Sequence, residues 1–302
     1  MTDAPLRIET KGRVRSLVLC RSRSYNAITP ALRDALFAAL DEADRDTSVH
    51  VVLLRAEGDA FCAGFALDQS LETASPQDTW DSVVDLERIS SFAAAFSKLR
   101  EIRKPTIAAV QGWCVAGGSD MVFNCDLIIC GHSARFGYPP ARAWGVPLQP
   151  WLWVQRLGQQ AAGRYLLTGD EIDSCEAERL GLVWARVPDD QLPLVAQSLA
   201  DRVAALPLKQ LIMMKTALTD VATRQFDPRS SGLLGCLFDG IARNTDEGLA
   251  FSERALQVGW RNAVRERDTP FGDYGSKATV GGSTGHNGSV AKSGLQGKSV
   301  DE

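Results

Sequence analysis

Two short runs of small residues are where this 302-residue sequence could do chemistry. Phe61-Cys62-Ala63-Gly64-Phe65 and Gly112-Trp113-Cys114-Val115-Ala116-Gly117-Gly118 each leave a buried-strand pattern and enter a helical one. Small side chains let backbone amides approach a ligand, and the amides at a helix start have no partner inside the helix. One amide from each of two turns can hold a single oxyanion. Either turn alone is equally consistent with close strand–helix packing, whereas the pair in this order is more specific.

Other chemistries have little to work with. The only histidines are His50, in a strand-like run, His132, and His286, in a polar tail. His50 and His286 have no Cys, Asp or second His at ligand spacing, which nearly excludes metal sites and Ser-His-Asp triads. Seven cysteines without a Cys-x-x-Cys pattern read as reduced core thiols rather than a disulfide framework, pointing to the cytoplasm. Hydrophobic residues at 45%, charged residues at 23% and a net charge of −4 describe a soluble globular chain with no leaning toward nucleic acid. Met1 to Lys11 contains acids and no apolar stretch of the signal-peptide kind, and no run approaches the roughly 20 apolar residues that span a bilayer, so no membrane partner is expected.

The elements that must position the two turns follow from patterning. Ile8 to Leu19 reads as a hairpin around Gly12. Thr29-Pro30 opens a helix with a capping hydroxyl and a proline suited to the first turn. Val49 to Leu54 is a buried strand ending in the Gly58-Asp59 turn, Asp78 to Arg100 a helix stopped by Pro105, and Thr106 to Val110 a buried strand closed by Gly112. A short helix to about Cys125 and a strand Leu127 to Cys130 follow. This alternation implies an α/β core. Beyond Asp170 helical patterns dominate, at Cys175 to Leu180, Gln191 to Leu206, Leu208 to Val221, Gly232 to Arg243 and Glu247 to Arg265. From Gly275 the chain is rich in Gly and Ser and poor in apolar residues, as expected of a disordered tail. Its Gly281-Gly282-Ser283-Thr284-Gly285 and Asn287-Gly288-Ser289 motifs lack the strand, helix or secretion route that would give them meaning.

Several further strings recur in order: Tyr25-Asn26-Ala27, Ala60-Phe61-Cys62-Ala63-Gly64, Lys104 to Gly112, Ala116-Gly117-Gly118-Ser119-Asp120, Cys125-Asp126, Ala134-Arg135-Phe136-Gly137, Leu166-Leu167-Thr168-Gly169 and Gly181-Leu182-Val183. On these the sequence resembles the crotonase superfamily, the enoyl-CoA hydratases and isomerases, from about Val14 to Pro270. The resemblance implies a crotonase-like spiral of ββα units over residues 1–205 and a helical trimerisation region over 206–272; residues 273–302 remain as the tail expected from composition to be disordered. It implies an acyl-CoA or enoyl-CoA substrate, a homotrimer or dimer of trimers, and no cofactor beyond the coenzyme A of the substrate.

The resemblance also assigns residues. The amides of Phe65 and Gly117 would bind the thioester oxygen as an enolate forms, and Asp120, three residues after Gly117 on the same helical face, would be the acid–base group. The alternative for Asp120 is a first-turn acid complementing the helix dipole. Substrate contacts would come from Arg23, Tyr25, Ala27, Ala63, Ala66, Leu67, Asp68, Tyr138, Arg142 and Trp144. The chain departs from the pattern in places. The first glutamate of the hydratases is the shorter Asp120, the second is Pro140, and the aspartate of dienoyl-isomerase-like relatives falls near Leu148. Ala66 and Asp68 replace the acid and base expected after the first turn, leaving Arg21 and Arg23 as better phosphate contacts. Trp113, Trp144, Trp151 and Trp153 suggest an aromatic-lined acyl pocket. The activity implied is hydratase- or isomerase-like; decarboxylation, carbon–carbon cleavage or non-catalytic acyl-CoA binding are the alternatives.

Overall fold

The computed structural model describes residues 4–66 and 80–273. Leu67, Asp68 and the tail from Gly275 lie outside the described residues.

Leu6–Lys11 (β1) and Val14–Leu19 (β2) form the expected hairpin, with Gly12 at φ +57° in its turn. Pro30–Arg45 (α1) starts where Thr29 Oγ1 accepts the Leu32 amide. Val51–Ala56 (β3) follows, then Ser82–Glu101 (α2), capped by Asp81 on the Val83 and Val84 amides. Next come Thr106–Val110 (β4), Trp113–Val115 (β5), Gly117–Val122 (α3), Leu127–Gly131 (β6) and Arg135–Gly137 (β7). Pro150–Thr168 (α4), Ile172–Asp173 (β8), Ser174–Arg179 (α5), Ala185–Val187 (β9) and Leu192–Ala204 (α6) complete the core.

One sheet has the order β1-β2-β3-β4-β6-β9, parallel except for the hairpin, and a smaller one the order β5-β7-β8. The central strands are buried on both faces, which is why they read as continuous apolar runs. Leu17, Leu19, Val52, Leu54, Ala108 and Val110 face the main core with α1 and α2; Val14, Val51, Leu53, Ile107 and Ala109 face α6.

Four further helices, Leu208–Phe226 (α7), Pro228–Arg243 (α8), Asp246–Val258 (α9) and Trp260–Asp268 (α10), form the C-terminal region. The last two replace the single helix expected from Glu247 to Arg265, because Gly259 at φ +82° breaks it. Lys215 on α7 ties this region to the core: its buried ammonium reaches the Leu99 and Lys104 carbonyls and Asp126, 2.8 Å away. Asp126 also accepts the Thr106 amide, so it is a structural anchor. Helix α4 had no counterpart in the sequence patterning, although Pro150 in its first turn and Gly169, at φ +70° after its end, are ordinary boundary signals. Among the described residues no helix is long and apolar enough to cross a membrane.

Candidate active site

The first turn is laced from both sides. The Ala63 amide donates to the Tyr25 carbonyl, Ile28 to Gly64, Ala66 to Ile28, Cys62 to Trp113 and Val115 to Cys62, all at 2.8–3.0 Å. Asn26, fully buried, donates from Nδ2 to the Glu57 and Ala60 carbonyls at 2.9 Å, holding the loop that carries the turn. Tyr25, Ala63 and Ala66 join this lacing through their backbones, and the Ala27 carbonyl accepts from Arg21.

The two turns touch at Gly64. At φ +92°, a Cβ there would lie 2.8 Å from the Ala116 Cβ and 3.4 Å from the Gly117 nitrogen. Ala116, at φ +54° and ψ −124°, holds a backbone conformation rare outside glycine immediately before α3. Among the described residues the Phe65 and Gly117 amides have no hydrogen-bond partner. A cavity of about 280 Å³ opens beside them, walled by Ala63, Phe65, Val115 and Ala116 from the turns. Tyr138, Pro140 and Trp144 close it from the following loop, and residues of α2, α8 and α10 cover it.

The expected side chains divide. Trp113 and Trp144 line the cavity, whereas Trp151 stacks near Phe226 under Arg100 and Trp153 is core, edge-on to Phe123; the four tryptophans are not one pocket. Tyr138 lines the cavity, but its hydroxyl donates to the Val146 carbonyl at 2.7 Å, and burial raises its pKa well above the tyrosine range. Arg142 does not line it. Its guanidinium, 2% exposed, pairs with Asp170, Asp268 and Asp273 and stacks on Phe271, so it is a structural rather than a substrate-facing residue. Arg23 stands on a separate open cleft of about 960 Å³ with Ser22 and Ser24; Arg21 borders it too, while bracing the Ala27 carbonyl at 2.7 Å.

Asp120 lies one helical turn behind the cavity wall, its amide bonded to the Ala116 carbonyl. One carboxylate oxygen accepts the Leu148 amide at 3.2 Å and the other is buried without a partner. Burial pushes its pKa up to about 7; the Leu148 amide pulls it back, the charge of Asp239 pushes it further up, and the Trp153 indole N–H, short of hydrogen-bond geometry, lowers it slightly. Asp120 is not on the cavity wall, and the side chain one methylene shorter than glutamate is a physical reason for that.

A residue that the sequence did not single out is on that wall. Asp239, on α8, lines the cavity and pairs through Oδ2 with Arg243 at 3.2 Å. Arg243 is itself held by Asp85 at 2.7 Å. In sequence an Asp and an Arg four apart on a helix look like an ordinary surface pair, and only packing of α8 against α2 turns them inward. No group of His, Cys, Asp and Glu among the described residues could hold a metal ion.

The enoyl-CoA hydratase/isomerase family model matches residues 9–254. The chain belongs to that family. A probable enoyl-CoA hydratase of Rhizobium meliloti is 32% identical over 222 residues, 72% of this chain and 82% of the relative. The mitochondrial Delta(3,5)-Delta(2,4)-dienoyl-CoA isomerase of Dictyostelium discoideum is 32% identical over 219 residues, 68% and 72% of the two chains. The crystal structure of an enoyl-CoA hydratase from Mycobacterium smegmatis superposes with a TM-score of 0.85 at 39% identity, covering 90% of this chain and 95% of the other. The family's α/β fold, a crotonase-like ββα spiral followed by a helical region, is the fold described above.

Proposed function

We propose that this family member is an enzyme that processes enoyl-CoA-type thioesters through an enolate held by the Phe65 and Gly117 amides. The observation that carries the proposal is the meeting of the two turns at Gly64, with both amides unpartnered beside one cavity. Donors fixed toward developing charge in a site shielded from water are often the largest catalytic term, because nothing must reorganise as the charge appears. The walls fit an apolar acyl chain: Phe65, Ile89, Trp113, Val115 and Trp144 offer hydrocarbon and aromatic surface. Arg23, exposed on the open cleft, suits a coenzyme phosphate.

The family resemblance also supports a trimer or dimer of trimers assembled through the C-terminal helices. Leu218 and Val221 on α7, Leu234 and Ile241 on α8, and Leu256 on α9 are all exposed.

The experiment is C2-proton exchange of a saturated acyl-CoA in D2O, measured beside turnover of 2-enoyl- and 3-enoyl-CoA thioesters. Exchange together with turnover of either thioester is the expected result. Acyl-CoA binding with neither exchange nor turnover would leave a non-catalytic binding protein.

A further inference from the structure

Two carboxylates stand on the cavity wall, Asp239 and Asp268. Asp268 is committed elsewhere: both its oxygens take Arg267 nitrogens, at 2.9 and 2.7 Å, and Oδ1 also takes Arg142. Asp239 is held differently. Its Oδ2 accepts from Arg243 Nε at 3.2 Å, and beyond that the carboxylate meets only the Val146 amide among the described residues. Arg243 cannot swing away with it, because its Nη2 is fixed on Asp85 Oδ2 at 2.7 Å, and Asp85 Oδ1 is fixed on Arg88 at 2.7 Å. The row Arg88–Asp85–Arg243–Asp239 thus crosses from α2 to α8 and fixes the Asp239 carboxylate on a wall that it shares with Tyr138, Pro140 and the paired Arg267 and Asp268.

We propose that Asp239 is the catalytic residue that moves the proton in a double-bond shift of a 3-enoyl thioester, with Arg243 as its positioning residue. This rests on the enolate reading above and adds the substrate class and the proton carrier. In the step, an Asp239 carboxylate oxygen takes a proton from C2. The C2–H electron pair becomes the C1=C2 bond, and the C1=O pair moves onto the thioester oxygen, toward the Phe65 and Gly117 amides. On return of the oxygen's electrons the C1=C2 pair forms C2=C3, the former C3=C4 pair bonds to a proton at C4, and the Asp239 carboxyl supplies that proton. Atoms and electrons balance with no water, oxidant or second acid. One carrier suffices because C2 and C4 are two bonds apart on one chain, which suits a cavity where Pro140 and the committed Tyr138 hydroxyl offer no second one.

The groups that face Asp239 also bear on it. Arg243 favours the carboxylate; Asp85 opposes it, and burial raises the carboxyl above the ordinary aspartate range. A carboxyl raised in this way gains the proton affinity that abstraction from carbon needs.

The test follows formation of the conjugated 2-enoyl thioester from a 3-enoyl-CoA by absorbance, with acyl-CoA affinity by calorimetry and melting temperature in parallel. Asp239→Asn is expected to lose about 10²- to 10⁴-fold in turnover, with affinity kept within about threefold. Asp239→Glu retains the acid–base group beside Arg243 and is expected to recover part of the rate; it also serves if the Asn variant does not fold. Arg243→Lys is expected to displace the acid limb of the pH–rate profile, a change that a merely structural ion pair would not produce. An Asn variant that turns over within twofold of the parent, or a folded Glu variant no faster than a folded Asp239→Ala, overturns the inference alone. A parent that hydrates 2-enoyl-CoA without shifting 3-enoyl-CoA also overturns it while leaving the enolate reading intact. A parent with neither turnover nor C2 exchange overturns both.

Discussion

Asp120 and Asp239 are both buried aspartates near the same turns, and their surroundings give them different work. Asp239 is oriented by a guanidinium at the cavity wall, whereas Asp120 is closed in behind Ala116 with only the Leu148 amide. Because Asp120 does not line the cavity, Asp120→Asn is expected to keep turnover within about tenfold. A loss of 10²- to 10⁴-fold would instead return to Asp120 the proton-transfer role that the family resemblance implies. The same variant carries a stability prediction. A carboxyl raised from its ordinary value of 3.8 to about 7 makes the folded state bind more protons than the unfolded state between those pH values. Its stability contribution is therefore present below about pH 4 and lost as pH rises through about 7. The melting temperature of the Asn variant relative to the parent should rise from pH 4 to pH 8, and parallel curves would contradict the buried titration.

The turns and the helix-linking ion pairs are where single substitutions act through geometry. Gly64 needs its left-handed backbone and its bare Cα, since a Cβ would press on Ala116 at 2.8 Å and part the two turns. Gly64→Ala should lower turnover by about 10²-fold, comparable to losing one donor to the oxyanion, while acyl-CoA binding persists. Unchanged turnover would show that the amides need not share one oxygen. Arg142 tests a different joint. Removing its buried guanidinium takes one cation from a cluster of three acids, Asp170, Asp268 and Asp273, and Arg142→Ala is expected to cost about 3–5 kcal/mol in urea unfolding. A cost under about 1 kcal/mol would mean that the cluster relaxes into solvent.

For the whole molecule, the exposed apolar residues of α7, α8 and α9 are the feature that a lone chain explains least. Leu218 is 73% and Val221 65% exposed, more than a helix packed only on its own core requires. Light scattering at micromolar concentration should report a trimer or a multiple of one. Leu218→Glu together with Val221→Glu should shift the mass downward while far-UV circular dichroism is retained; a parent monomer would contradict the assembly.

The sequence by itself determined the first hairpin, the central strands β3, β4 and β6, most helices and the two turns, because each is encoded within a few neighbouring residues. Continuous apolar runs mark β3, β4 and β6; Thr29-Pro30 marks the start of α1; Gly64, Gly117 and Gly118 mark close backbone approach. It singled out Phe65, which lines the cavity, and Gly117, which follows the lining residue Ala116. It could not rank the polar residues around them, since burial depends on what packs on top. Arg142 looked like a loop cation and Trp153 like a pocket wall until acids and helices from distant parts of the chain enclosed them. Asp239 is the clearest case. It lies 119 positions after Asp120, on a helix whose pattern speaks only of amphipathicity, and the folding of α8 over the turns alone decides that its carboxylate meets the cavity.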